Sequence, residues 1–266
     1  YKRQFSHEII EAFMVLANET VASYMESIEA PFVYRIHEKP NEEKLLRFYE
    51  FLKGLGINAK RKKDEVFPKD FQLILKNAEE MPTYALINRV MLRSMQKAKY
   101  SPIDTGHFGL SAKHYCHFTS PIRRYPDLIT HRILDALINH KDYRPTFEQL
   151  EVNGFHLSNR ELEAQNAERE SNKLMAAIWA EDHIGEIFNG KIFEIMDDGV
   201  IVKDGLVEMF IPMGDLTFGT SRRFAPNDTY TKLIDSKSKF EYCIGDKLKF
   251  KIIPILVINI KRLLPP

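Results

Sequence analysis

The sequence predicts an α+β chain: a helix-rich portion followed by a small five-stranded β-barrel. Three observations predict it. Apolar residues recur at helical spacing as far as about residue 182, and after Gly185 the period falls to two. The later segments are short and punctuated by Asp197-Asp198-Gly199 and Asp204-Gly205, which are turn signals. A long gap then separates the third strand segment from the fourth, as in a Greek-key barrel of the OB type. The division expected is therefore 1–182 and 183–266.

The elements follow in order. From Ser6, a helix is predicted with Ile10, Phe13, Ala17, Val21, Tyr24 and Ile28 on its apolar face and His7, Glu11 and Asn18 on a neighbouring one. Asn41 to Lys53 is a second amphipathic helix, stopped by Gly54 and Gly56, and Lys60-Arg61-Lys62-Lys63-Asp64 is a charged connection. Phe71–Leu75 and Tyr84–Met95 are further helices broken by Pro82. Pro145 to Asp182 is the longest, with an interruption read near Gly154, and its stripe Phe147, Leu150, Gly154, Leu157, Glu161, Ala164, Glu168, Ser171, Met175 and Ile178 is expected to face inward. A carboxylate on such a stripe must be paired, hydrogen-bonded or open to a wet cavity. The strands expected are Lys191–Ile195, Val200–Val202, Val207–Ile211, one about Leu248–Ile252 and a fifth at Ile255–Leu263. In the fourth, Leu248, Phe250 and Ile252 alternate with Lys247, Lys249 and Lys251, which sets core against a row of lysines.

Composition narrows the function classes. With 38 basic and 37 acidic residues the net charge is +1, so any anion site must be local, although the last fifty residues are more basic. Cys116 and Cys243 have no ligand spacing and form no disulfide framework. No apolar run approaches the roughly 18 residues of a membrane span. The first residues are not a signal peptide, so a cytoplasmic protein without membrane partners is expected. The chain begins without Met and reads as a segment of a longer, monomeric protein.

The stretch from Tyr115 to Leu128, YCHFTSPIRRYPDL, carries the most chemistry. Arg123 and Arg124 lie between Pro121 and Pro126, which restrict the backbone that carries them. A guanidinium presents a rigid fork of donors matched to phosphate oxygens. Two readings stand: a built anion site, or a helix start with Ser120 as cap, Pro121 as first helical residue and both arginines solvated.

The segment from His107 to Arg132 resembles the end of the catalytic domain in the RNase II/RNase R (RNB) family of 3′-to-5′ exoribonucleases. Three further phrases are similar to that family: Ser6 to Glu19, Pro31 to Pro40, and Ala167-Glu168-Arg169-Glu170. The resemblance implies the C-terminal half of an RNB-type catalytic domain over 1–182, an RNA-binding barrel of the ribosomal protein S-one type over 183–266, and bacterial RNase R as the nearest kind of relative. It implies metal-dependent release of 5′-nucleoside monophosphates from the 3′ end of single-stranded RNA. Arg123 then corresponds to the phosphate-gripping arginine, with Arg124 beside it; Glu168 corresponds to an active-site glutamate, and Glu11 to a glutamate near the terminal nucleotides, where a ribose 2′-hydroxyl distinguishes RNA from DNA. Lys247, Lys249 and Lys251 would guide the strand.

The sequence also departs from the family pattern. The spacing Asp-x5-Asp-x-Asp-Asp, which holds the family's metal, is absent, and the only Asp-Asp pair, Asp197-Asp198, reads as a hairpin turn. Magnesium is therefore expected in a full-length parent, on aspartates outside this chain, and the segment alone is expected to be inert. Barrels of this type also carry stacking aromatics where this chain has Asp198-Gly199-Val200-Ile201, with Pro212 in place of a histidine. A non-catalytic RNA-binding or regulatory relative is the alternative. A hydrolase built on Ser120 or Cys116 is a third reading, for which no partner histidine can be specified.

Overall fold

The computed structural model describes residues 4–59, 66–205, 207–217, 222–238 and 240–253. In chain order the elements are helix α1 (Phe5–Ser27), strand β1 (Tyr34–Ile36), helices α2 (Glu42–Gly54), α3 (Pro68–Ala78) and α4 (Tyr84–Ser94), and strand β2 (Lys99–Ser101). A 3-10 turn (Phe108–Leu110) leads to helices α5 (Tyr125–Ile138) and α6 (Phe147–Asp182). Strands β3 (Ile187–Ile195), β4 (Gly199–Asp204) and β5 (Val207–Pro212), the helical turn α7 (Met213–Leu216) and strands β6 (Phe224–Pro226), β7 (Lys232–Asp235), β8 (Glu241–Cys243) and β9 (Lys247–Lys251) complete it. Helices and antiparallel sheets thus share the chain as the α+β reading expects. The change from helix to strand falls between Asp182 and Ile187.

Two compact units divide the chain, one comprising 1–41, 66–68 and 95–165 and the other 42–65, 69–94 and 166–266. In the first, β1 and β2 pair antiparallel, Arg35 opposite Tyr100. Phe32, Val33, Ile36, Met25, Ile129, Ile133, Leu150 and Leu157 form its core. Gly154 explains how α6 comes so near: a Cβ there would lie 2.8 Å from the Tyr100 carbonyl oxygen. The helix runs through this glycine unbroken, and Ser158 on the next turn donates to the Gly154 carbonyl and accepts from the Tyr100 N–H.

The inward stripe of α6 is correct for Leu150, Gly154, Leu157 and Glu161 and fails on either side of them: Phe147, Ala164, Glu168, Ser171, Met175 and Ile178 are exposed. Farther on, Ala177 and Ala180 are the buried positions. The apolar face read on α1 holds only for Ala17 and Val21, which are half-buried; Phe13 is 65% exposed and Ile10, Tyr24 and Ile28 are exposed, whereas Asn18, Ala22 and Met25 are buried. What turns this face inward is polar: the Asn18 amide serves the loop that follows β2, described below.

The second unit holds two antiparallel sheets, one ordered β5-β4-β3-β9 and one ordered β6-β7-β8. Ile192, Ile195, Val200, Val202, Ile211 and Leu233 fill its core with Leu86 of α4. Four of the five expected strands are thus found, and the fifth, at 255–263, lies outside the described residues, as does the charged connection at 60–64. The segment read as a long loop contains β6, β7 and β8, each only three or four residues long and too short to show alternation. Phe193 and Phe210 are only partly buried. Phe193 sits at the irregularity where β3 slips register against β4, and Arg89 lies 4.3 Å over its ring.

Gly154→Ala should destabilise the chain, because the added methyl meets backbone that cannot rotate away. The strain of overpacking, about 1–3 kcal/mol, opposes the gain of roughly 1 kcal/mol that alanine brings to an open helix. Urea unfolding of the variant beside wild type checks the sign; a rise in midpoint would show that α6 does not approach β2 this closely.

Candidate functional site

The loop from Tyr115 to Arg124 is fixed at both ends by one buried polar side chain each. At the first end, Asn18 donates from Nδ2 to Tyr115 Oη at 2.9 Å, and its Oδ1 accepts from the backbone N–H of Phe118 at 3.0 Å and Thr119 at 3.3 Å. The Cys116 thiol donates to the Asn18 carbonyl. His131 of α5 stacks on Phe118 at 4.2 Å and contacts its carbonyl through Nε2. Such bonds are made in place of water at buried positions, where leaving a partner unsatisfied costs about 1–3 kcal/mol.

At the other end Asp127, which is 0% exposed, accepts from the Ser120 N–H and from Arg124 Nη2, both at 2.8 Å. The Ser120 carbonyl in turn accepts from the N–H groups of Arg123 and Arg124, closing a turn. Helix α5 therefore starts at Tyr125 with Arg124 as its N-cap and Pro126 in its first turn, not at Pro121 behind a Ser120 cap. Asp127 lies at the positive end of that helix, where a carboxylate is favoured.

This arrangement separates the two arginines. Arg124 is partly buried and committed to Asp127, while Arg123 is exposed at the turn and makes no ion pair with a described residue. The guanidinium fork that remains available is Arg123, held on a frame that is itself hydrogen-bonded.

Around the loop stands a polar cluster that motif reading only touched. Arg35 makes a two-point ion pair with Glu161, at 2.6 and 3.0 Å, and its guanidinium lies 4.5 Å over the Tyr100 ring. Tyr100 Oη meets His117 Nδ1 at 2.8 Å. His117 packs edge-on against Tyr100 and Tyr115, and His107 against Tyr115. Burial, then the neighbouring Arg124 and Arg35, pushes the His117 imidazole down to about 3. Burial, His37 and Arg35 take His107 down to about 4. Both rings are neutral near pH 7 and act as hydrogen-bonding groups rather than charges. The Glu161 pair was legible as a carboxylate on an apolar stripe; its partner Arg35 stands in a quoted phrase without a local signal of its role. Asn18 carried no signal beyond sharing a face with His7 and Glu11.

The other expected residues fall as follows. Glu11 is exposed on α1, in the same compact unit as Arg123 and Arg124. Glu168 is exposed on α6 and belongs to the other unit, as do Lys247, Lys249 and Lys251, which project from β9 into solvent while Leu248 and Phe250 turn toward the core. Cys116 is fully buried and burial pushes its thiol well above the usual range, which disqualifies it as a nucleophile. No histidine hydrogen-bonds Ser120 among the described residues, and the hydrolase reading lapses. Among the described residues no three His, Cys, Asp or Glu side chains gather to hold a metal ion. No helix of the described residues is long and apolar enough to cross a membrane.

The turn displays a guanidinium that makes no ion pair with a described residue, backed by buried amide and carboxylate anchors, an arrangement suited to holding an anion. The RNB domain family matches residues 1–140, and the chain belongs to that family. Ribonuclease R of Aquifex aeolicus is 40% identical over 259 residues, covering 96% of this chain and 36% of that protein. Ribonuclease R 1 of Lactococcus lactis is 35% identical over 260 residues, 94% of this chain and 31% of that protein. The structure of Mycoplasma genitalium RNase R in complex with ribose methylated single-stranded RNA superposes with a TM-score of 0.83 at 29% identity, covering 98% of this chain and 41% of that one. The chain thus spans roughly a third of the curated relatives' length.

The depressed histidines give a sign to the pH dependence. Unfolding returns His117 and His107 to ordinary values, so between about pH 6.5 and 4 the unfolded chain binds more protons and stability falls as pH falls. Replacing His117 with Gln, which keeps a polar group without the titration, should flatten this slope. Thermal unfolding at pH 7, 6, 5 and 4 measures it; an unchanged slope would place His117 in water.

Proposed function

We propose that this chain is the C-terminal part of a 3′-to-5′ exoribonuclease of the RNase R kind, which hydrolyses single-stranded RNA to 5′-nucleoside monophosphates. The observation that carries the reading is the Arg123 turn: an available guanidinium fork on a frame fixed by Asn18 and Asp127. Arg123 grips the phosphate near the scissile bond, and its adjacent Arg124 braces the turn through Asp127. Neutral His107 and His117 bring hydrogen-bonding capacity to the guanidinium cluster without adding charge that would trap the product. Glu11 faces the ribose of the terminal nucleotides, and the exposed Glu168 acts on how RNA is held and product leaves. Lys247, Lys249 and Lys251 supply positive potential that draws the strand toward the sheet.

In this reading magnesium belongs to carboxylates elsewhere in the full-length protein, where it would activate water for the displacement. The residues of this chain do not supply that site, and their part is to bind and orient the backbone. The working location is the cytoplasm, and the working form is a monomer.

Residues 1–266 alone should release no mononucleotides from labelled single-stranded RNA in magnesium or manganese; robust release would overturn the division of labour. In the full-length protein Arg123→Ala should slow turnover by roughly 30-fold or more, since losing one partner of a desolvated charged contact costs about 2–5 kcal/mol. Arg123→Lys should recover only part, having charge without the fork. Single-turnover cleavage of a short RNA reads both, and wild-type rates in the two variants would reduce Arg123 to scaffolding. Glu168→Ala should tighten RNA binding and alter turnover while leaving the melting temperature nearly unchanged, as its exposure requires.

A further inference from the structure

The register of the four-stranded sheet places like charges directly against one another. Lys191 of β3 lies opposite Lys247 of β9 on one side and opposite Lys203 of β4 on the other. Three ammonium groups therefore stand in one rung across three strands, about 4.8 Å apart at the backbone. Like charges opposed in this way are destabilising. The row Lys247, Lys249, Lys251 meets this rung at Lys247, so five lysines form a corner rather than a line.

The ends of the rung differ. Lys191, Lys247, Lys249 and Lys251 make no ion pair with a described residue. Lys203 is held by Glu208, its cross-strand neighbour on β5, with Nζ 3.1 Å from the carboxylate, and Glu208 also faces Arg89 at 3.7 Å. Beside the rung a hollow of about 320 Å³ is lined by Lys191, Lys203, Phe193, Pro82 and Gly205. A concave surface with two ammonium groups at its wall has room for part of a nucleotide and charge for its phosphate.

We propose that the backbone of a single-stranded polyanion crosses this sheet along Lys247, Lys191 and Lys203, perpendicular to the strands, rather than following β9. On binding, Lys203 exchanges the Glu208 carboxylate for a phosphate, and Glu208 marks where the path ends. Taking the polyanion to be RNA rests on the function proposed above; the crossing itself rests on the register. The lysine rung is an electrostatic conflict that a chain of phosphates relieves by releasing their counterions.

The test uses the whole 266-residue chain and a fluorescein-labelled 12-mer of uridine, with anisotropy titrations across a salt series. Wild type should bind with a steep salt dependence. Lys191→Gln should reduce the slope of log affinity against log salt by about 0.7, the share of one phosphate contact on a single strand. Glu208→Gln should tighten binding, because it frees Lys203. Lys191→Gln should also leave the melting temperature unchanged or raise it by about 1–3 °C, by removing the opposed charge. If Lys191→Gln and Lys203→Gln bind as wild type while Lys249→Gln and Lys251→Gln bind weakly, the strand follows β9 and the crossing is wrong. If all five variants bind as wild type, or wild type does not bind, the sheet holds no RNA, and that result leaves the Arg123 assay untouched. An equal affinity for inorganic polyphosphate of similar length would assign the rung to phosphate chains in general, and preference for a duplex would overturn the single-strand assignment.

Discussion

The first compact unit depends on the Asn18 amide. A primary amide buried at this depth must satisfy a donor pair and an acceptor, and here its bonds go to residues about a hundred positions later, Tyr115, Phe118 and Thr119. That requirement fixes which way α1 faces and where the loop begins. Asp127 then fixes where the loop ends. Between two such anchors the turn at Arg123 has little freedom, and a displayed guanidinium becomes a positioned one. An ion pair at the surface would not do this, since its worth is small and water competes for both ends. Buried, directional bonds hold geometry because their loss leaves a group with no substitute.

The second unit is organised by a different kind of constraint. Its apolar core, from Ile192 through Val202 to Leu233, sets which faces of the strands turn inward. The outward faces then inherit whatever charges alternate with that core. Around the partly buried Phe193, Arg89 and Arg93 converge on Glu194, which ties α4 to β3 by charge as well as by Leu86. Among the described residues the lysines across β9, β3 and β4 have no such partners apart from Lys203 with Glu208. One sheet thus carries a satisfied electrostatic network and an unsatisfied one.

Much of this was legible in the sequence, and the limits have physical causes. Helices α2, α3 and α4 were visible because each buries a stripe with a 3.6 period, α6 because its stretch from Leu150 to Glu161 does, and β3, β4, β5 and β9 because each has one apolar face. The orientation of α1 was misread because Ile10 and Phe13 are more apolar than Asn18, while hydrogen bonding to a distant loop outranks that difference. Of the two readings of the Arg123 stretch, the helix start fails for a similar reason: Ser120 and Pro121 look like a cap, yet Asp127 draws the Ser120 N–H back and turns the chain first. Glu161 and Glu168 looked alike as inward carboxylates. Only the first meets an arginine, because only there does α6 pass β1, and Arg35 is unrelated to Glu161 in sequence. Pairings of this range lie beyond any local pattern. The rung of lysines needed the register, and a shift of one residue in either strand would have dissolved it.

Cys116 has a further consequence. Its thiol is fully buried, donates to the Asn18 carbonyl and is held protonated by burial, so in the closed molecule it neither oxidises nor reacts with alkylating agents. It becomes reactive only when the core around it opens. Cys243 is partly exposed and serves as an internal standard for the reagent. The rate at which Cys116 is modified is therefore a clock for the breathing of the Asn18 anchor, read without adding any probe to the protein. A ligand that settles on Arg123 and steadies the turn would slow that clock, and an opening of the core elsewhere would leave it running at its native pace.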